Sequence, residues 1–168
     1  GLPFYVTIAF VLLGMFAVWA AIRYTVGDSA YGYKGFGDIY VLVFFGWLGV
    51  LGSFYLQAHQ INYWVILPAS AVGMMAMGVL NLNNMRDIEE DIKNGKRTIA
   101  ARIGRKSAKN YLTLLLVGSQ ILTLLFVWHE TASPMSLLFL LSSPVIINVI
   151  IRSYKAQQPE GFDPLLKP

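Results

Sequence analysis

The chain has 168 residues, of which 56% are hydrophobic and only 13% charged. Its mean hydropathy is +0.56 and its formal net charge is +4. A soluble domain carries roughly 25% charged residues, so a water-soluble globule is excluded. With no cysteine there is no disulfide, thiolate metal site or cysteine nucleophile.

Five apolar runs approach the ~20 residues that span a bilayer as a helix. In chain order they are 3–23, 39–57, 63–82, 109–128 and 134–151. None leaves a polar face for water, so the fold class expected is all-α, a polytopic transmembrane helix bundle forming one domain over 1–168. The first run lacks a basic leader and a small-residue cleavage site, so it reads as a span and not a signal peptide. It ends at Arg23 and opens the loop 24–38, "YTVGDSAYGYKGFGD", rich in glycine and tyrosine. Glycine lets backbone turn sharply and approach a ligand. Tyrosines at a membrane interface equally suit an aromatic belt. Asp38 opens the second span, where an acid also complements the helix dipole.

All thirteen Lys and Arg fall within 23–34, 86–109 or 152–167, and the connections 58–62 and 129–133 hold none. Positive charge therefore alternates across the spans. The positive-inside rule then makes the loops 24–38 and 84–108 and the tail 152–168 cytoplasmic, in a multi-pass protein of the cell (inner) membrane. His59 and His129 sit in the two connections at the opposite end, far from the acidic cluster at 87–91, which argues against a zinc site or a histidine triad. The basic pI of about 9.4 needs no nucleic acid; loops facing anionic lipid account for it.

The third span runs into "NNMRDIEEDIKNGKRT", residues 83–98, which holds Asp87, Glu89, Glu90 and Asp91, four of the chain's nine acids. Topology alone uses Lys and Arg and gains little from acids. Read as a helical extension over 83–94, the segment puts Asn83, Asp87 and Asp91 on one face, with Asn84 and Glu90 close by. Carboxylates at that spacing repel unless a cation lies between them. Hard oxygen ligands suit Mg²⁺ or Mn²⁺, commonly held by one or two carboxylates with substrate phosphates and water. Gly95 ends the helix and brings Lys96 and Arg97 near, where cations suit a diphosphate. Glu89 falls on the opposite face, and Lys93 reads as a solvated partner of Glu89 or Glu90. The plainer reading is a solvated loop serving topology. Mid-span Gln120, Ser142 and Asn148 read as interhelical hydrogen bonds.

"NNMRDIEEDIKNGKRTIAARIG" resembles the second aspartate-rich motif of the UbiA-type membrane prenyltransferases, with Asp87 and Asp91 matching its D-x-x-x-D. The Asn-Asn-x-Arg-Asp start, the Gly-Lys-Arg-Thr end and the stretch from Tyr24 through Gly-Tyr-x-Gly-x-Gly-Asp to Gln57 are similar to one branch, which prenylates 1,4-dihydroxy-2-naphthoate in menaquinone synthesis. The resemblance implies an all-helical bundle of about nine spans. It implies Mg²⁺-dependent transfer from a polyprenyl diphosphate to the aromatic acid, with decarboxylation to demethylmenaquinone. Asp87 and Asp91 would then be metal ligands, and Lys96, Arg97 and Asn84 diphosphate ligands. Tyr24 would sit at the diphosphate or the cationic carbon, and Asp38 would orient or deprotonate the acceptor. Sibling enzymes for 4-hydroxybenzoate, homogentisate or haem share this chemistry. A transporter or scaffold leaves the acids unexplained, and a CDP-alcohol transferase needs a D-G-x-x-A-R core that is missing. The family's first motif, Asn-Asp-x-x-Asp, does not occur in this sequence. Both ends read as cuts in a longer protein, and the chain is expected to hold half of a metal site and to be inactive alone.

Overall fold

Among the described residues five helices are long and apolar enough to cross a membrane: Phe4–Arg23, Gly37–Ala58, Tyr63–Arg86, Ile99–Glu130 and Pro134–Lys155. The computed structural model describes residues 2–25, 35–130 and 133–166, without the side chains of Tyr24 and Thr25. Among the described residues there is no strand, so the all-α expectation holds. The large hydrophobics Phe4, Leu12, Trp19, Val79 and Leu114 face outward. The bundle hides small and polar groups inside, as a bilayer environment favours.

Helix α1 (Phe4–Thr25) leans on the second span through ring stacks, Phe10 on Tyr55 and Phe16 on Phe44. The second span is composite. Helix α2 (Gly37–Val41) widens into a π-helical stretch, Leu42–Leu51, and tightens again as α3 (Gly52–Ala58). His59 closes it in the left-handed region at φ 52°. The Asn62 side chain then accepts the Trp64 N–H at 2.8 Å and caps the turn into α4 (Ile66–Arg86).

Helix α4 is the hub, packed against both the second span and α6 (Ile99–Glu130). Glycine sets the closest approach. A Cβ at Gly46 would lie 2.6 Å from the Ala69 carbonyl oxygen and 2.9 Å from the Gly73 Cα. Ordinary side chains there would push the spans apart. On the other face, Gly78 receives Leu112 and Leu116, and Asn81 donates to the Ala108 carbonyl at 2.8 Å.

Between α4 and α6 lies the short helix α5 (Ile88–Lys93). A straight helix of the length of α6 would measure about 48 Å, well beyond the ~30 Å hydrocarbon layer. The break at Gly104, with φ 77° and ψ 159°, resolves this by turning the first residues of α6 off the span. The connection 84–108 is mostly helical, both in its first part, where a helical extension is expected, and again from Ile99. The last span is a 3₁₀ stretch, Pro134–Ser142, followed by α7 (Ser143–Lys155). Gln120 bridges it to α6 through Ser142 and Ser143, each at 3.3 Å, the interhelical role expected of such residues.

The segment after α7 is not a free tail. A 3₁₀ turn, Pro159–Phe162, and α8 (Asp163–Leu166) fold back under the bundle. Phe162 is fully buried against a core that includes Met85, Ile88, Ala100, Ala108 and Leu112. Lys109 is buried and donates to the carbonyls of Ala156 at 2.6 Å and Tyr154 at 3.3 Å. Its charge thus neutralises the C-terminal end of α7.

Candidate active site

The charged ends of the spans gather at one end of the bundle, and Trp64 stacks on His129 at the other, with ring centroids 3.6 Å apart. At the charged end, the Gly-rich turn before α2 docks on the Gly-Lys-Arg-Thr segment before α6. Gly35 has φ 84°, and a Cβ there would collide with the Arg97 carbonyl and the Arg102 guanidinium. Only glycine meets both conditions.

The docking closes a narrow polar pit of about 10 Å³, with Leu80 as its apolar wall and Gly35, Gly37, Asp38, Asn84, Lys96 and Thr98 around it. Such a volume suits about one water molecule. Asp38 is 4% exposed, and the Tyr111 hydroxyl donates to its Oδ1 at 3.0 Å. Asn84 is buried on the same side, whereas Asn83 turns back to its own helix and donates to the Val79 carbonyl at 3.2 Å.

Asp91 is buried beside the pit. The Lys96 ammonium donates to its Oδ1 at 3.1 Å, and the Thr98 hydroxyl approaches Oδ2 at 3.5 Å. Thr98 also accepts the Ala101 N–H at 3.2 Å, so one residue caps α6 and steadies Asp91. The Gly95 turn, φ 72°, lets the Lys96 N–H reach the Asp91 carbonyl at 2.8 Å.

Asp87 faces elsewhere. Arg86 grips it with Nε on Oδ1 at 2.6 Å and Nη2 on Oδ2 at 2.9 Å. Arg86 also lies 3.6 Å from Asp163 of the folded-back segment. Asp87 opens on a surface cleft shared with Glu89, Glu90, Glu160 and Asp163. The continuous helix expected over 83–94 is corrected here: α4 ends at Arg86 and Asp87 adopts φ −96°, ψ 12°. Neighbouring residues do not face each other on a regular helix, so the Arg86–Asp87 chelate requires this local departure. The ladder survives it, with Asp87 N–H to Asn83 O at 3.0 Å and Asp91 N–H to Asp87 O at 2.8 Å.

Arg97 is exposed and meets the Gly35 turn through its carbonyl. The Tyr24 side chain lies outside the described residues. Glu89 is spoken for by Arg105, whose Nη2 lies 2.9 Å from both carboxylate oxygens. Thus Asp38, Asn84 and Lys96 come together with Asp91 alongside, while Asp87 lies on another side of the α4–α5 junction. Sequence reasoning missed Tyr111 and Thr98. Tyr111 sat unmarked in an apolar run; Thr98 carried the signal of an N-cap, a threonine just before a helical segment.

Among the described residues no three His, Cys, Asp or Glu side chains gather to hold one ion. Aspartate oxygens are of the hard type that suits Mg²⁺, but Asp91 is held by Lys96 beside the pit while both oxygens of Asp87 are taken by Arg86 on another side of the junction, so the two are not presented to one ion here.

A five-span helical chain with an aspartate-rich segment folded against a glycine turn is the pattern of a class of membrane proteins. The chain belongs to the UbiA prenyltransferase family, whose sequence model matches residues 1–162. It is 45% identical to the 1,4-dihydroxy-2-naphthoate octaprenyltransferase of Escherichia coli (strain K12), over 95% of this chain and 52% of the relative. It is 47% identical to the protein of that name from Haemophilus influenzae, over 94% of this chain and 51% of the relative. The Mycobacterium leprae protein of that name is 37% identical over 67% of this chain and 38% of its own length. The chain spans about half the length of the first two of these relatives and 38% of the third. No solved structure matches it.

Proposed function

We propose that the whole protein transfers a polyprenyl group from polyprenyl diphosphate to 1,4-dihydroxy-2-naphthoate with loss of CO₂. The observation that carries this reading is the docking of the Gly-rich turn on Gly-Lys-Arg-Thr, which brings Asp38, Asn84 and Lys96, far apart in sequence, to one buried pit. The naphthoate relatives support the choice of acceptor.

In this reading Asp87 and Asp91 would hold Mg²⁺ or Mn²⁺, which requires Asp87 to exchange its Arg86 partner for the ion. When bound, the ion neutralises the diphosphate and favours its departure. Lys96, Arg97 and Asn84 bind diphosphate oxygens, with Tyr24 beside the diphosphate or the cationic carbon. The allylic C–O bond breaks and its electron pair leaves with the diphosphate. Asp38 takes a proton from an acceptor hydroxyl, which enriches the ring. The ring carbon bearing the carboxylate bonds to the allylic carbon. Its bond to the carboxylate breaks, CO₂ departs, and that electron pair restores the aromatic ring. Return of the proton gives the quinol form, and oxidation to demethylmenaquinone is a separate step. Apolar helix surfaces and lipid accept the prenyl tail.

The test is incorporation of labelled polyprenyl diphosphate by the full-length protein across a Mg²⁺ titration. The acceptors compared are 1,4-dihydroxy-2-naphthoate, 4-hydroxybenzoate and homogentisate. Metal-dependent incorporation into the naphthoate alone is the expected result; equal or better use of another acceptor would reassign the substrate. The charged end is assigned to the cytoplasm of a cell-membrane protein. Single cysteines at 59 and 96 should then label from opposite faces with an impermeant thiol reagent, and the one at 96 only from within.

A further inference from the structure

Helices α2 and α6 each pack on α4 and have little interface with each other. Across that gap the Tyr111 hydroxyl reaches Asp38 Oδ1 at 3.0 Å. The contact joins residues 73 positions apart in sequence. It is therefore not a by-product of two packed faces. It is also not one of the polar clips that join spans in the apolar interior, such as Trp47 to Ser70 or Gln120 to Ser142. It lands on a carboxylate that is 4% exposed and borders the pit with Asn84 and Lys96.

A buried carboxylate needs donors, and a misdirected one is a poor base. A tyrosine suits the task. Its ring is held by few torsions, and its hydroxyl engages one oxygen and leaves the other for a second partner. From this geometry we infer that Tyr111 is a positioning residue for aromatic prenylation: by holding Oδ1 it fixes the plane in which Asp38 presents its second oxygen to the acceptor hydroxyl. The inference rests on the reading of Asp38 as the group that takes the acceptor's proton. Tyr111 itself touches neither substrate. The proton passes from acceptor hydroxyl to Asp38 and back, and the Tyr111 O–H bond stays intact.

The test uses full-length Tyr111→Phe, Asp38→Asn and the double variant, assayed for kcat and for KM of each substrate, with thermal stability measured alongside. Tyr111→Phe should lower kcat about 10- to 100-fold. That range lies between one lost hydrogen bond and an ångström's misplacement of a reacting group. KM for polyprenyl diphosphate should stay within about twofold, because diphosphate binding does not pass through Tyr111. In the Asp38→Asn background, adding Tyr111→Phe should cost nothing more, since residues acting through one group are non-additive. The inference is overturned if the two losses multiply, if Tyr111→Phe keeps wild-type kcat, or if it raises both KM values together with a fall in stability. Failure of Tyr111→Phe to accumulate in membranes would also overturn it, by making the contact structural. A wild-type rate for Asp38→Asn would instead sink the proton role of Asp38 itself, and so separates the two failures.

Discussion

Asp87 and Asp91 occupy equivalent places in a D-x-x-x-D pattern, yet their surroundings differ in kind. Asp91 is buried, neutralised from downstream by Lys96 at 3.1 Å and approached by the Thr98 hydroxyl at 3.5 Å, in a loop that also forms the pit. Asp87 has a side chain 33% exposed, is gripped by the adjacent Arg86 at 2.6 Å, and faces the segment that folds back after α7. One carboxylate is built into the site, and the other is clamped beside it by a cation with a second acidic partner, Asp163. The i, i+4 spacing predicts proximity along the chain. It does not predict that the two sides are assembled by different parts of the molecule.

The largest expected effect comes from removing what anchors the Asp87 side. Phe162 is fully buried and is flanked by Arg105 and Lys109, each 6.0 Å from its ring centroid. Phe162→Ala should cost about 3–5 kcal/mol, as for other buried aromatics. Hydrogen exchange should accelerate over 156–166 and at Asp87 while the backbone of 95–98 stays protected. Equal loosening on both sides would mean that the end of the bundle is one unit and that the contrast drawn above is false.

Next come the aspartates themselves. Asp87→Asn and Asp91→Asn should each reduce Mg²⁺-dependent transfer by about 10²-fold or more, the cost of losing a charge-stabilising group from a preorganised site. Their stability effects should diverge. Asp91→Asn strips Lys96 and Thr98 of a buried charged partner and should cost about 2 kcal/mol. Asp87→Asn breaks a half-exposed pair and should cost about 0–1 kcal/mol. Thermal denaturation in detergent reads this difference directly. Equal losses of stability would erase the distinction, and normal activity with normal Mg²⁺ dependence in Asp87→Asn would remove it from the metal site.

Much of this was legible in the sequence. The span count and the gathering of charged ends follow from hydropathy and from where Lys and Arg fall. The return of Lys96 toward the acids follows from Gly95, because a turn after the acids brings the next cation back; its direct pairing with Asp91 is not expected from the sequence. The position of Asp87 was not legible, because a periodic reading assumes regular helix and Arg86 beside Asp87 distorts it. The folded-back segment 156–166 was hidden for a different reason. Its apolar anchors, Ala156, Phe162, Leu165 and Leu166, are few and irregularly spaced, with no periodicity to reveal a buried face. Lys109 opens the fourth apolar run, and its acceptors, the carbonyls of Tyr154 and Ala156, are ones that sequence spacing cannot display.

The smallest expected effect tests whether acidity alone matters in this cluster. Glu89 lies two residues from each aspartate, so a loose electrostatic cloud around Mg²⁺ would make it nearly as important. Its side chain is 64% exposed, and it spends both oxygens on Arg105 at 2.9 Å. That pair ties α5 to α6, and Arg105 is also anchored by the Met85 carbonyl at 3.3 Å, so Arg105 keeps its place without Glu89. An exposed pair contributes about 0–1 kcal/mol, and an acid turned toward α6 offers nothing to the pit beside Asp91. Glu89→Gln should therefore keep activity within about threefold, a change below 1 kcal/mol, with its Mg²⁺ titration unshifted. Its denaturation midpoint should fall by less than that of Asp91→Asn. A loss near 10²-fold would mean that the summed negative charge of residues 87–91 governs the metal, and that the separate surroundings of Asp87 and Asp91 are incidental to how it is held.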